Sequence, residues 1–360
     1  MLKTILIALM ATLMLLSRTL TANEINPVAT STQLRFGYIT TEPSIGPREN
    51  TLAVGGRFGL LMPVSDEVAA GVSFYSTNAL LGEDENRYFL DAQNNGYAIA
   101  GEAWLSVDLG KTQLKAGRQL VDTPFVDTDD IGMIPNSFEG VVATSTDFDN
   151  ITLMALHLRK WASRGNESPE KFADINRDKG ISGVGVSYAV SDEVALQAWH
   201  YQAADLARMT YLEAGLENEA FSFAVQYALQ NDKTDDESHP DGDVWGVMAD
   251  YSLADFTFSG AYNRVSGAVS NGFGGGPYFT STEDHTIDGI EDERVVMLGL
   301  DYAGFGPLTL AVLATDFDKG EDETDWIASY SFNNSVSADI VFSDMSDDGK
   351  MTKVFVNYDF

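Results

Sequence analysis

The chain has 360 residues, of which 44% are hydrophobic and 11% aromatic, with 32 glycines, no cysteine and a formal net charge of −32. That acidic balance would repel nucleic-acid phosphates, and the lack of cysteine excludes a disulfide framework or a thiolate metal site. No composition shift or Pro/Ser-rich linker divides the chain, which favours a single folding unit.

Taken in chain order, the first feature is a leader. Met1-Leu2-Lys3 gives a short basic start, Ile5 to Leu16 an apolar run, and Ser17-Arg18-Thr19 a polar end. This is the layout of a secretory signal, and the apolar run is too short to span a bilayer as a helix. Cleavage is expected after Ala22, leaving residues 23–360 as one domain. Loss of Lys3 and Arg18, with no acid in the leader, takes the charge from −32 to about −34.

Beyond the leader, short stretches of alternating apolar and polar residues recur to the C-terminus. The predicted strands of the first half are Thr32–Thr40, Thr51–Leu61, Val68–Ser76, Gly96–Asp108, Thr112–Gln119, Phe138–Ser145 and Ile151–Lys160. Those of the second half are Ile181–Val190, Val194–Gln202, Ala207–Glu217, Ala220–Leu229, Asp243–Ser252, Phe256–Val265, Arg294–Tyr302, Leu308–Asp316, Asp325–Phe332, Ser335–Ser343 and Met351–Phe360. Tiny turns such as Asp147–Asn150, Ala254-Asp255 and Asn333-Asn334 alternate with longer acidic loops. Period-two strands throughout, with no long apolar helix, define an all-β protein: a transmembrane antiparallel β-barrel of about 18 strands, or 16 if two weak strands are misread. A barrel of that width leaves an aqueous channel.

The last strand ends on an aromatic. Val354, Val356, Tyr358 and Phe360 share one face, while Lys353, Asn357 and Asp359 share the other. The terminal Phe360 resembles the assembly signal of bacterial outer-membrane barrels, which implies the barrel assembly machinery as a partner.

One connection breaks the rhythm. Leu120–Ser137, the third external loop, mixes Phe125, Val126, Ile131, Met133 and Ile134 with acids. A water-bathed loop has little use for such anchors, whereas a loop folded into the lumen packs them against the wall. Asp122, Asp127, Asp129 and Asp130 would then face the remaining opening as the pore constriction. The competing reading is a packed external cap with solvated acids.

At this loop the chain resembles a family. Gly117-Arg118-Gln119, Thr123-Pro124, Asp130 and Pro135-Asn136-Ser137-Phe138-Glu139-Gly140 look like the characteristic stretch of OprD-like outer-membrane porins, with closest similarity to the Opr porins of epsilonproteobacteria. The resemblance implies an 18-stranded barrel with an infolded third loop, passing small water-soluble solutes. Family members often carry an Arg two positions after the loop Asp, as part of a basic ladder for carboxylates. Here that position is Gly132, a departure that puts selectivity for carboxylates or amino acids in question.

By strand parity, Arg35, Arg57, Lys115 and Lys353 point into the lumen as a basic wall, as do the acids Glu102, Glu213, Asp250 and Asp339. Either they are the ordinary lining of a wet lumen, or bases opposite acids set up a transverse field that orients dipolar solutes. Trp104, Trp161, Trp199, Trp245 and Trp326 fit interfacial girdles. The acidic stretches Asp232–Glu237 and Glu283–Glu293 lack EF-hand spacing and read as solvated loops, with divalent bridging to lipopolysaccharide a secondary reading. No cofactor or metal-site motif is present.

The reading that follows is a Gram-negative outer-membrane porin, passing ions and small hydrophilic solutes by passive diffusion with a modest cation preference. Its surroundings would be lipid bilayer and lipopolysaccharide, and composition leaves monomer and homotrimer equally open. A substrate-selective porin for small carboxylates or amino acids is the nearest alternative. An outer-membrane hydrolase would draw on His157, His200, His239 or His285, but no nucleophile motif accompanies them.

Overall fold

The computed structural model describes residues 28–81, 88–233 and 241–360. The leader with its cleavage site, and Asp235, Asp236, Glu237 and His239, lie outside the described residues.

The chain runs β1 (Ala29–Glu42), β2 (Glu49–Pro63), β3 (Val68–Leu81), β4 (Tyr97–Leu109), β5 (Thr112–Gln119), β6 (Ser137–Phe148) and β7 (Ile151–Ala162). A two-residue strand, β8 (Ala173–Asp174), precedes β9 (Ile181–Ala189), β10 (Val194–Ala203), β11 (Ala207–Glu217), β12 (Phe221–Asp232) and β13 (Gly242–Leu253). Then come β14 (Phe256–Ser266), β15 (Arg294–Phe305), β16 (Leu308–Phe317), β17 (Glu323–Asn333), β18 (Val336–Met345) and β19 (Gly349–Asp359). Neighbouring strands pair antiparallel, and β7 pairs with β9 so that β8 stands outside the count. β1 pairs with both β2 and β19, with Arg35 opposite Gly55 on one side and Asn357 on the other. The sheet therefore closes into an 18-stranded barrel with one extra short strand.

Closure leaves no open edge, which is what a sheet in hydrocarbon requires. Alternation then divides each strand between two solvents. On β1, Leu34, Phe36 and Tyr38 face outward, while Gln33, Arg35, Gly37 and Ile39 face the lumen. Around the outside, Phe74, Val184, Trp245, Leu298 and Trp326 are exposed and give the barrel an apolar outer face.

What is buried lies inside the barrel. Two clusters form where loops turn inward against the lumen wall. In one, Phe125 and Val126 of the third loop meet Tyr201, Tyr211 and Tyr278. In the other, Met133 and Ile134 of the same loop meet Phe89, Leu90, Ile39 and Tyr75. Gly37 permits the second contact, since a Cβ there would stand 2.6 Å from Met133 Sδ.

Of the five tryptophans expected in girdles, only Trp245 and Trp326 face outward. Trp104, Trp161 and Trp199 point inward, where Trp161 stacks on Phe138 and Trp199 on Tyr201. Their apolar neighbours are the inturned loops and wall, not interfacial lipid.

Candidate functional site in the lumen

The third loop, residues 120–136, is held by its own turn chemistry first. Thr123 and Val126 exchange backbone hydrogen bonds at 2.7 and 3.1 Å around Pro124, and Thr123 Oγ1 also donates to Val126 O. Asp122 folds back to accept from the amide and hydroxyl of Thr128 at 3.0 and 2.7 Å. Asn136, beside Pro135, closes the loop by donating to Thr128 O at 2.7 Å. Tertiary anchoring comes from Phe125, fully buried, with Tyr201, Tyr211 and Tyr278 arranged edge-on at 5.8, 6.3 and 6.3 Å.

A second loop, residues 267–293, meets it inside the lumen. Phe273 N donates to Phe125 O at 2.9 Å, and Asp127 N donates to Phe273 O at 3.1 Å. The Asp127 carboxylate accepts from the amides of Gly275 and Gly276, each at 3.2 Å. Gly274 has a φ of +148°, and a Cβ there would collide with the Asp127 carboxylate, so glycine is required at this approach.

The loop acids therefore differ in what they can offer a solute. Asp130 is taken by Arg35 of the wall, whose Nη1 and Nη2 donate to its two oxygens at 2.7 and 3.0 Å. The same guanidinium donates to Gly132 O at 2.7 Å and to Asn357 Oδ1 at 2.8 Å. A Cβ on Gly132 would stand 2.7 Å from the carbonyl oxygen of Tyr88, so the loop packs too closely against residue 88 for a side chain here. Asp129 faces Arg164 at 3.9 Å. Burial raises the carboxyl groups of Asp127 and Asp129 above the ordinary aspartate value, against the opposing pull of the glycine amides and of Arg164 respectively. Asp122 is exposed and belongs to its own turn.

The basic residues are similarly divided. Arg57 donates to Ser31 Oγ at 3.0 Å, while its buried Nε has no partner among the described residues. Lys115 stands over the Trp104 ring at 4.4 Å. Lys353, only 1% exposed, pairs with Asp284 at 3.1 Å and Glu283 at 3.3 Å. Arg35 and Arg57, with Gln33, Tyr75, Thr128 and Asp130, line a recess of about 180 Å³ between loop and wall. Across the lumen, the inward positions of β11, β13 and β15 carry Glu213, Asp250 and Asp301, while Asp339 lines the neighbouring wall on β18, two strands from β1.

The remaining family-pattern residues serve the loop's base. Phe138 is fully buried beneath Trp161, and a Cβ on Gly117 or Gly140 would strike the carbonyl oxygens of Ala103 and His157. Arg118 and Glu139 pair at 3.0 Å but face away from the lumen. Phe360 donates its amide to Thr32 O at 2.9 Å, and its ring lies 4.1 Å from that of Tyr358.

Sequence reasoning missed the role of the 267–293 loop. Its acids are not all solvated: Glu293 is fully buried, and the Asp284 side chain is 3% exposed against Lys353 and the Tyr88 hydroxyl. His285 Nδ1 lies 2.6 Å from the buried Glu323, and its Nε2 lies 3.2 Å from Glu321. The Glu323 hydrogen bond raises the imidazole above its ordinary value, and burial opposes this. A signal was present, since Phe273, Tyr278 and Ile287 interrupt the acids and glycines much as Phe125 and Met133 do in the third loop.

A closed barrel with an apolar exterior, a charged lumen and loops folded into it defines an outer-membrane channel of the porin class. The profile of the family described as "outer membrane porin, OprD family" matches residues 91–336, and the chain belongs to that family, as a β-barrel of the Gram-negative outer membrane. Among curated proteins, none matches the chain in sequence. Solved structures share the fold. Acinetobacter baumannii OccAB4 superposes with a TM-score of 0.79 at 17% identity, covering 94% of this chain and 100% of that one. Pseudomonas aeruginosa OpdK gives 0.80 at 17% identity, covering 93% and 99%. The same protein solved with vanillate gives 0.79 at 18% identity, again covering 93% and 99%.

Proposed function

We propose that the protein passes ions and small hydrophilic solutes by passive diffusion through a constriction between the third loop, the 267–293 loop and the β1–β2 wall, with a modest preference for cations. The observation that carries this reading is the sidedness of the lumen charge. Arg35 is neutralised by Asp130 and Lys353 by Asp284, which leaves Arg57 and Lys115, with Glu102 on the intervening β4, facing three carboxylates across the lumen at Glu213, Asp250 and Asp301, and Asp339 flanking them on β18. An excess of fixed negative charge favours cation entry, and bases facing acids orient dipolar solutes. The constriction role of Asp122, Asp127, Asp129 and Asp130 then divides. Asp127 holds the loops together, Asp129 and Asp130 balance wall cations, and Asp122 shapes the turn. The chemistry is that of a channel and not of an enzyme.

A second reading has an observation of its own. The recess holding Arg35 and Arg57 has a guanidinium Nε without a partner beside the Tyr75 ring, a setting for a small carboxylate. OpdK has been solved with vanillate, an aromatic carboxylate, and a similar solute would fit the second reading here. Bilayer recordings distinguish the two. Under a KCl gradient the reversal potential should carry the cation sign, and added benzoate should leave the current unchanged; concentration-dependent block by benzoate would favour the carboxylate reading.

A further inference from the structure

Two family-pattern residues, Arg118 and Glu139, have no part in the lumen. Arg118 lies four positions along β5 from the lipid-facing Leu114, with no break in register. Glu139 pairs with Arg118 on one side and, across a register shift in β7, with Lys160 on the other. All three are on the outer wall. Val141, two residues further along β6, is exposed and apolar, so the charges stand at the upper margin of the lipid-facing band.

The connection between β7 and β9 closes over them, bringing Glu170, Lys171 and Phe172 to form an outward-opening cavity of about 350 Å³. The Arg118 guanidinium lies over the Phe172 ring at 4.5 Å, and its Nε is held by Glu139. Its Nη1 reaches Ala100 O at 3.4 Å, whereas Nη2 has no acceptor among the described residues. Lys160 Nζ is 3.6 Å from Asp174, beyond hydrogen-bond distance, and Lys171 Nζ pairs with its exposed neighbour Glu170 at 3.0 Å.

We propose that this cavity binds a phosphate group of an anionic glycolipid in the outer leaflet. Three cations converge there on two lining carboxylates, and Asp174 offsets Lys160 from outside the lining, so Arg118 and Lys171 are the cations turned to the cavity. A charged side chain on the lipid face is costly at the bilayer midplane and nearly free at the interface, so the cluster belongs at headgroup level. Stacking on Phe172 fixes the guanidinium plane, and a fixed fork suits a tetrahedral oxyanion. Lys160 and Lys171 swing in as mobile charges. The inference depends on the outer-membrane location and not on what the pore conducts.

The test uses the full-length protein in detergent micelles, with binding read by native mass spectrometry. The probes are bisphosphorylated lipid A, its dephosphorylated counterpart and inorganic phosphate. The site should retain bisphosphorylated lipid A in preference to the dephosphorylated form, and millimolar phosphate should displace it only weakly. Each lost cation should weaken binding about fivefold, so the Lys160→Gln/Lys171→Gln double variant should lose about 25-fold. Arg118→Lys, which keeps the charge without the fork, should fall between. All variants should keep the heat-resistant gel mobility of a closed barrel and their conductance. Equal retention of both lipids, full displacement by phosphate, or unchanged affinity in the double variant would overturn the proposal. Loss of a protein oligomer with lipid binding intact would overturn it as well, and would make a second copy of the chain the occupant.

Discussion

Asp130→Asn should move the channel's selectivity toward anions, and Asp127→Asn should not. Asp130 balances Arg35 at 2.7 and 3.0 Å, and Arg35 keeps its bonds to Asn357 and Gly132 when that charge is removed. The guanidinium then stays in place as an uncompensated cation. Two unit charges 4 Å apart interact by about 1 kcal/mol in bulk water, a factor of about five in local ion population. A passing cation loses that factor and an anion gains it. Screening over a Debye length of about 8 Å trims the product, so the potassium-to-chloride permeability ratio should fall about tenfold. Asp127 instead spends its carboxylate on the Gly275 and Gly276 amides, and an Asn oxygen can keep one of those bonds. Reversal potentials in a planar bilayer under a KCl gradient give the comparison. Equal shifts in the two variants, or no shift for Asp130→Asn, would refute this division of roles.

Other outcomes follow from the same geometry. Phe125→Ala should remove about 3–5 kcal/mol from third-loop docking while the strands remain paired, seen as larger, noisier single-channel steps at unchanged heat-resistant gel mobility. Gly132→Arg brings a Cβ against the Tyr88 carbonyl and a cation beside Arg35, so it should displace the loop and reverse the sign of the ion preference in the same bilayer assay. His285 is held by Glu323, with Glu321, Asp348 and Asp284 also facing it, and its imidazole is raised above 6.5. A raised value means that protonation favours the docked 267–293 loop. This contribution is fully present below pH 6.5 and is lost as pH rises through the docked value. Protection factors at residues 282–286, with the intrinsic base-catalysed rise of exchange removed, should fall across that window, and His285→Gln should flatten that fall.

The strand plan was legible because period-two alternation reports two different solvents, lipid and water, on every strand. All 18 barrel strands fall where the alternation places them, with ends extended by a few residues such as Val68–Leu81 against an expected Val68–Ser76. The third loop was legible for a different reason, since Phe125, Val126 and Met133 have no use in water. What sequence could not give was pairing. Whether Asp130 faces the opening or Arg35 depends on residues 95 positions apart in the chain, and nothing local distinguishes Asp127 on glycine amides from Asp129 near Arg164. The 267–293 loop escaped because its acid count suggested solvation. Its partners, Lys353 and Glu323, lie on strands far along the chain. Arg118 shows the opposite limit, because strand parity turns it outward although the family pattern sets it beside the third-loop residues.

The most direct test of the channel account is a planar-bilayer recording of the purified wild-type protein under a KCl gradient. Discrete conductance steps with a reversal potential of cation sign are expected. Silence, or a clear anion sign, would contradict it.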